Sequence, residues 1–180
     1  MSAKGEATRE KILTAAEALV MERGYAGTSL DDLLQVTGLT KGAFFHHFKS
    51  KAELSRAIIE RYAREDLAGF RDWSERADRL SDDPLERILI FIKLLEESFD
   101  QVEGEAPPRC LFAAYVYQQG CFPQDIREFI RESLLEWQGM YETKFAALIE
   151  VRPPAQPVTA RALAEAFVAM LEGGLVLAVD

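Results

Sequence analysis

The sequence predicts an all-α protein, a small N-terminal module of three helices followed by a larger helical domain. Apolar residues recur at helical spacing along the whole chain, and no segment sustains the alternation that a half-buried strand needs. Helix start and stop signals crowd into the first fifty-odd residues and spread out afterwards. With 180 residues, 48% of them apolar, the chain can build one substantial core or a small module beside a larger one.

The first helix is expected from Glu6 to about Arg23, with Ile12, Ala16, Leu19 and Val20 on one face and Gly24 as the stop. Thr28 and Ser29 stand three residues ahead of Asp31 and Asp32, a capping-box spacing that opens a short helix ending near Gly38. Thr40 caps a third, very short helix reaching His47, and Ser50-Lys51-Ala52-Glu53 opens a long fourth one. Its stripe of Leu54, Ile58, Tyr62, Phe70 and Trp73 runs to about Arg79, where Ser81-Asp82-Asp83 breaks it.

Pro84 suits the first position of the next helix, whose apolar positions are Leu85, Ile88, Leu89, Ile92, Leu95 and Phe99. A loop is expected over Gly104 to Pro108, a shorter helix from Arg109 to Gln118, and a break from Gly120 to Pro123. The most regular stripe follows: Ile126, Ile130, Leu134, Trp137, Tyr141, Phe145 and Leu148. Pro153, Pro154 and Pro157 mark a linker, and a last helix from about Thr159 carries Leu163, Phe167, Met170 and Leu171. The apolar run Leu175 to Val179 has no terminating signal; either a further helix belongs after it or it packs against a second subunit.

The net charge of -9 argues at first against a nucleic-acid partner. Its distribution corrects that impression. Residues 1–54 hold seven basic and seven acidic side chains, so the rest of the chain carries the whole imbalance. Lys41, Lys49 and Lys51 fall within eleven residues beside His46 and His47, and charges farther away than about 8–10 Å are largely screened at physiological salt. No run of eighteen apolar residues and no apolar signal core is present, so no membrane contact is expected and the cytoplasm is the expected compartment. Cys110 and Cys121 have no paired metal-ligand spacing and read as buried thiols, with a redox switch as the alternative. Adjacent helical positions point about 100° apart, so His46 and His47 cannot easily share a metal. Neither a metal nor a cofactor is expected.

The segment Thr28–Leu54, TSLDDLLQVTGLTKGAFFHHFKSKAEL, resembles the DNA-binding signature of the TetR family in register. The matching pieces are the Thr-Ser start, Gly38 in the turn, Thr40-Lys41-Gly42 opening the recognition helix, His46-His47-Phe48, and Ser50-Lys51 before the long helix. The resemblance implies a helix-turn-helix over 1–50 and an effector-binding and dimerisation domain over 51–180. It implies a homodimer that holds double-stranded operator DNA and releases it when a small apolar or aromatic effector binds. The family commonly has tyrosine where this chain has Phe45, and that hydroxyl typically bonds a phosphate, so one contact is expected to be lacking here.

The residues support the same face without the family. Leu30, Leu33, Val36, Leu39, Phe44 and Phe48 can form a small core that fixes two helices at a steep angle. The other face then presents Lys41, Gly42, Ala43, Phe45, His46 and Lys49, small enough at Gly42 and Ala43 for close approach to base edges. Thr28, Ser29, Thr40 and Lys51 lie where helix N-termini aim free amides at phosphates.

Suitable effector-lining material is spread over several helices: Phe70, Trp73, Phe91, Phe99, Phe112, Tyr115, Trp137, Tyr141, Phe167 and Met170, although for any single one of them plain core packing is the commoner role. Phe167, Leu171, Gly174 and Leu175 are the expected dimer-interface residues. No nucleophile elbow, P-loop, HExxH or dinucleotide fingerprint is present, so an enzyme is not expected. A DNA-binding protein without an effector is the nearer rival.

Overall fold

A computed structural model of the chain describes residues 3–100, 110–116 and 124–177. The loop expected over 104–108, the break over 120–123, Cys121 and residues 178–180 lie outside them. Eight helices are present among the described residues: α1 (Ala3–Gly27), α2 (Leu30–Thr37), α3 (Lys41–His47), α4 (Lys51–Leu80), α5 (Pro84–Asp100), α6 (Leu111–Val116), α7 (Gln124–Val151) and α8 (Ala160–Leu177).

The caps at Ser29, Thr40 and Ser50 form where the sequence put them. The Ser29 hydroxyl accepts from the Asp32 N–H at 3.1 Å, and the Asp32 carboxylate accepts from the Ser29 N–H at 2.9 Å, closing a capping box on α2. Thr40 caps α3, its hydroxyl accepting from the Ala43 N–H at 3.2 Å. At the start of α4 the Ser50 hydroxyl accepts from the Glu53 N–H, but Glu53 reaches back one residue farther than in a standard box, to the Lys49 N–H at 2.8 Å. Asp83 caps α5 behind Pro84, accepting from the N–H groups of Leu85 and Glu86, and Thr159 caps α8.

Two details differ from expectation. Gly24 does leave helical geometry, at φ 73° and ψ 166°, but the helix resumes and runs to Gly27. Val36 does not join the small core; it is 60% exposed, and Thr37 is buried instead. The reason is register. Thr37 lies one turn beyond Leu33 on the same face of α2, and the Thr37 hydroxyl, donating to the Leu33 carbonyl at 2.7 Å, meets the cost of burial.

The chain divides into two compact units, one of residues 1–63 with 110–130 and the other of 64–109 with 131–180. Helix α4 contributes to both. In the first unit Ile12, Leu13, Ala16, Leu19 and Val20 of α1 pack in a core with Leu33, Phe44, Phe48, Leu54 and Ile58. Helix α6 joins this unit through Leu111, Phe112 and Tyr115, all nearly inaccessible, with the Tyr115 ring 5.7 Å from that of Tyr25 and Phe112 5.2 Å from Tyr62. Buried Arg61 ties α4 to α1 by donating to Glu17 at 2.5 Å and to Glu10.

The second unit is centred on rings. Phe70 of α4 lies 5.9 Å from Phe91, 5.6 Å from Trp137 and 5.7 Å from Tyr141, and Tyr141 lies 4.6 Å from Phe167 of α8.

Candidate nucleic-acid interface

The chain turns between α2 and α3 at Gly38, which caps α2 in the left-handed region at φ 66°, where a side chain would be strained. From there α3 divides cleanly. Phe44 and Phe48, their rings 5.9 Å apart, are each 1% exposed and anchor the helix to the core. Lys41, Gly42, Phe45 and His46 are exposed, with Phe45 at 45%. A Cβ added at Gly42 would meet nothing within 4 Å, so the fold does not require glycine there. What a bare backbone offers at that point is close approach from outside.

Ser29, Thr40 and Lys49 are also exposed, and Ala43 is partly so. Capping keeps α2 correctly charged at its start: the Ser29 hydroxyl and then its backbone N–H hold the Asp32 carboxyl below the ordinary range. Two of the expected contact residues are engaged inside the protein. Thr28 is 5% exposed, and its hydroxyl donates to the Gly24 carbonyl at 2.9 Å. Lys51 donates to the Tyr25 carbonyl at 2.7 Å and lies 4.0 Å from the centre of the Tyr25 ring, a cation–π contact. Lys11, not singled out by its sequence context, does similar work at the other end of α2 by donating to the Thr37 carbonyl at 2.7 Å. Behind this face a cavity of about 310 Å³ lies among Tyr25, Leu30, Leu33, Phe45, Leu54 and Ile58.

The expected effector residues separate into two groups. Phe70, Trp73, Phe91, Trp137, Tyr141 and Phe167 come together in the ring cluster of the second unit. Phe112 and Tyr115 belong to the first unit, and Met170 is 68% exposed. A cavity of about 320 Å³ in the second unit is lined by Ser74, Asp78, Arg87, Ile88, Met140 and Lys144, among others. Lys144 donates to Ser74 at 2.6 Å and lies 5.2 Å from the Phe91 ring centre, and burial lowers its pKa. Of the expected dimer residues, Phe167, Leu171 and Leu175 are partly buried and Gly174 is exposed. Ala162, Ala166, Ala169, Met170 and Leu177 form an exposed apolar face of α8.

Among the described residues no three His, Cys, Asp or Glu side chains are grouped to hold a metal, and no helix is long and apolar enough to cross a membrane. Cys110 is buried.

Two short capped helices meeting at a left-handed glycine, with a basic, small-residue face turned outward and an aromatic pair turned inward, define a helix-turn-helix DNA-binding protein. Comparison with known proteins agrees. Residues 12–58 match the profile of bacterial regulatory proteins of the tetR family, and residues 84–180 match the C-terminal domain of LmrA/YxaF-like transcriptional regulators. The HTH-type transcriptional regulator LmrA of Bacillus subtilis is 31% identical over 175 residues, 94% of this chain and 85% of that protein. An uncharacterized HTH-type transcriptional regulator of Lactococcus lactis is 46% identical over 57 residues, 32% of this chain and 29% of its own length. The crystal structure of a TetR-family transcriptional regulator from Agrobacterium tumefaciens superposes with a TM-score of 0.82 at 25% identity, covering 97% of this chain and 88% of that one. The chain belongs to the TetR family of helix-turn-helix transcriptional regulators.

Proposed function

We propose that this regulator is a cytoplasmic homodimeric repressor whose residues 1–50 read a palindromic operator and whose residues 51–180 dimerise and bind a small effector that releases the DNA. The observation that carries the DNA-binding half is the division of α3: anchored by Phe44 and Phe48, it turns Lys41, Gly42, Phe45 and His46 to solvent together. In this reading Gly42 and Ala43 let the helix enter a major groove, Lys41 and His46 reach base edges or phosphate, and Ser29, Thr40 and Lys49 contact the backbone. Thr28 and Lys51 act from inside, by holding the turn before α2 and the start of α4.

The exposed apolar face of α8 supports dimerisation, because small residues let two such helices approach closely. The ring cluster of the second unit supports an apolar or aromatic effector. Helix α4 supplies the coupling. It starts at Lys51 in the first unit and continues through Phe70 and Trp73 in the second, so a ligand that displaces those rings moves the helix that carries the DNA module. Two recognition helices must sit about one DNA turn, roughly 34 Å, apart, and a shift of a few ångströms loses the second half-site.

Selection of bound duplexes from a random pool tests this. A palindrome with half-sites about one turn apart is the expected result. Enrichment of a single unrepeated site would rule out the symmetric dimer, and no enrichment would rule out sequence-specific reading.

A further inference from the structure

Met140 and Lys144 stand one turn apart on α7, and the cavity of about 320 Å³ in the second unit opens beside them, with Ser74 and Asp78 of α4 and Arg87 and Ile88 of α5 among its other walls. A lysine on a helix surface ordinarily runs its stem along apolar neighbours and carries the ammonium out to water. Lys144 does not. It is half-buried, its ammonium donates to the Ser74 hydroxyl at 2.6 Å, and it lies 5.2 Å from the centre of the Phe91 ring. Among the described residues it forms no ion pair. Asp78, the acid that acts on it, lies 3.6 Å from Arg87.

The walls of the cavity hold two cations and one acid. Arg87 is already answered: it pairs with Asp78 and with Asp82, and it donates to the Ser81 carbonyl at 2.6 Å. The charge left over is that of Lys144. An ammonium has three N–H donors, of which Ser74 takes one. The Ser74 hydroxyl accepts that bond and donates none among the described residues, so its own O–H is a further donor at the same point. The neighbouring polar groups differ in this respect. The Thr143 hydroxyl donates to the Gly139 carbonyl at 3.0 Å, and Asp83 caps the first N–H groups of α5. Taking an ammonium partly out of water without a counter-ion is costly, and one hydroxyl and one ring offset only part of that cost. The component lacking at Lys144 is an acceptor that carries negative charge. Ile88 and Met140 supply apolar wall beside it, and the volume falls within the range of about 300–1,000 Å³ common to small-molecule sites.

We infer that this cavity binds a small organic acid, its carboxylate held by the Lys144 ammonium and the Ser74 hydroxyl and its apolar body packed against Ile88 and Met140. This rests on the reading of the second unit as effector-binding, and it narrows the effector from any apolar molecule to an anionic one. The Phe91 ring beneath Lys144 stacks on Phe70 at 5.9 Å. A carboxylate that draws the ammonium off that ring therefore acts on the ring cluster, and it acts on α4 directly through Ser74.

The test uses the full chain and three matched probes at pH 7: anionic 1-naphthoate, neutral 1-naphthylmethanol and cationic 1-naphthylmethylammonium, with binding followed by calorimetry. The carboxylate is expected to bind about tenfold more tightly than the alcohol, the worth of a charge-assisted hydrogen bond, with the ammonium weakest. Lys144→Met is expected to erase the preference for carboxylate over alcohol, and Lys144→Arg to keep part of it. Arg161→Met, which removes the same charge from an exposed position on α8 outside the cavity, is expected to leave the preference intact. Melting temperatures check that each variant is folded; should Lys144→Met not fold, Ser74→Ala takes its place, with a severalfold loss of the preference expected. Equal affinity for carboxylate and alcohol, no binding of the carboxylate, or a preference that survives Lys144→Met or Ser74→Ala would overturn the assignment. Release of selected DNA is read in parallel. Carboxylate binding without release would overturn the effector reading and leave the anion site standing; release by all three probes alike would do the reverse.

Discussion

Lys51 donates to the Tyr25 carbonyl at 2.7 Å while its ammonium rests 4.0 Å from the centre of the Tyr25 ring, so the first residue of α4 grips the last turn of α1. The contact joins two elements that lie 26 residues apart in sequence and closes the back of the DNA-binding unit. It makes Lys51 a different kind of residue from Lys41, whose side chain is exposed on α3. Lys51→Met is expected to cost about 1–2 kcal/mol of stability in urea unfolding, through one charged hydrogen bond and one cation–π contact. Lys41→Met is expected to leave unfolding unchanged. Equal stability of the two variants would show that the Lys51 brace has no energetic role.

Gly42 separates fold from function. Since a Cβ there meets nothing and the residue lies in a helix, Gly42→Ala is expected to raise stability by up to about 1 kcal/mol. The same methyl group stands between the backbone and a groove wall, so DNA affinity is expected to fall severalfold. Parallel melting and fluorescence-anisotropy titrations check both directions; a variant that is more stable and binds DNA equally well would remove Gly42 from the interface.

Phe45 is 45% exposed beside Lys41 and His46 and has no polar atom to offer a phosphate. Phe45→Tyr is expected to tighten binding to the selected site by about tenfold, the worth of one hydrogen bond to a charged acceptor. Melting is expected to change little, because the Phe45 side chain is 45% exposed. Unchanged DNA affinity would place Phe45 off the phosphate backbone.

Asp66 gives stability a pH dependence with a definite sign. Burial, and then Glu172, raise its carboxyl to about 7. Between about pH 4 and 7 the folded chain keeps a proton there that the unfolded chain has released, so stability falls as pH rises and the cost is complete above 7. The size is on the order of 3 kcal/mol. Urea unfolding at pH 5 and pH 8 is expected to show this slope in the wild type and to lose most of it in Asp66→Asn, a comparison in which the other titrating groups cancel. Identical slopes would show that Asp66 titrates normally.

The parts of the fold that the sequence reveals are those set by neighbours along the chain. Ser29 with Asp32, Thr40, Gly38, Pro84 and Thr159 are local signals, and each does in the structure what its spacing implies. Val36 misleads because hydrophobicity alone ranks it above Thr37, whereas helix register and the Thr37 hydroxyl bond decide which is buried. Packing between distant segments is not written in local periodicity. The sequence shows a short helix here, but not that Tyr115 meets Tyr25 and so belongs with the DNA-binding unit. Asp66 was legible in principle: the stripe Ile58, Tyr62, Phe70 skips one turn, and the residue in the gap is an acid. That it has no donor among the described residues appears only once α4, α7 and α8 are assembled.

The account turns on whether the exposed face of α3 reads sequence. The most direct measurement is the affinity of the wild type and of Lys41→Ala with Gly42→Ala for the selected palindrome and for a scrambled duplex of equal length, at one salt concentration. The account predicts that the double variant loses at least tenfold on the palindrome and little on the scrambled duplex, with its melting temperature preserved. Equal losses on both duplexes, or none on either, would contradict it.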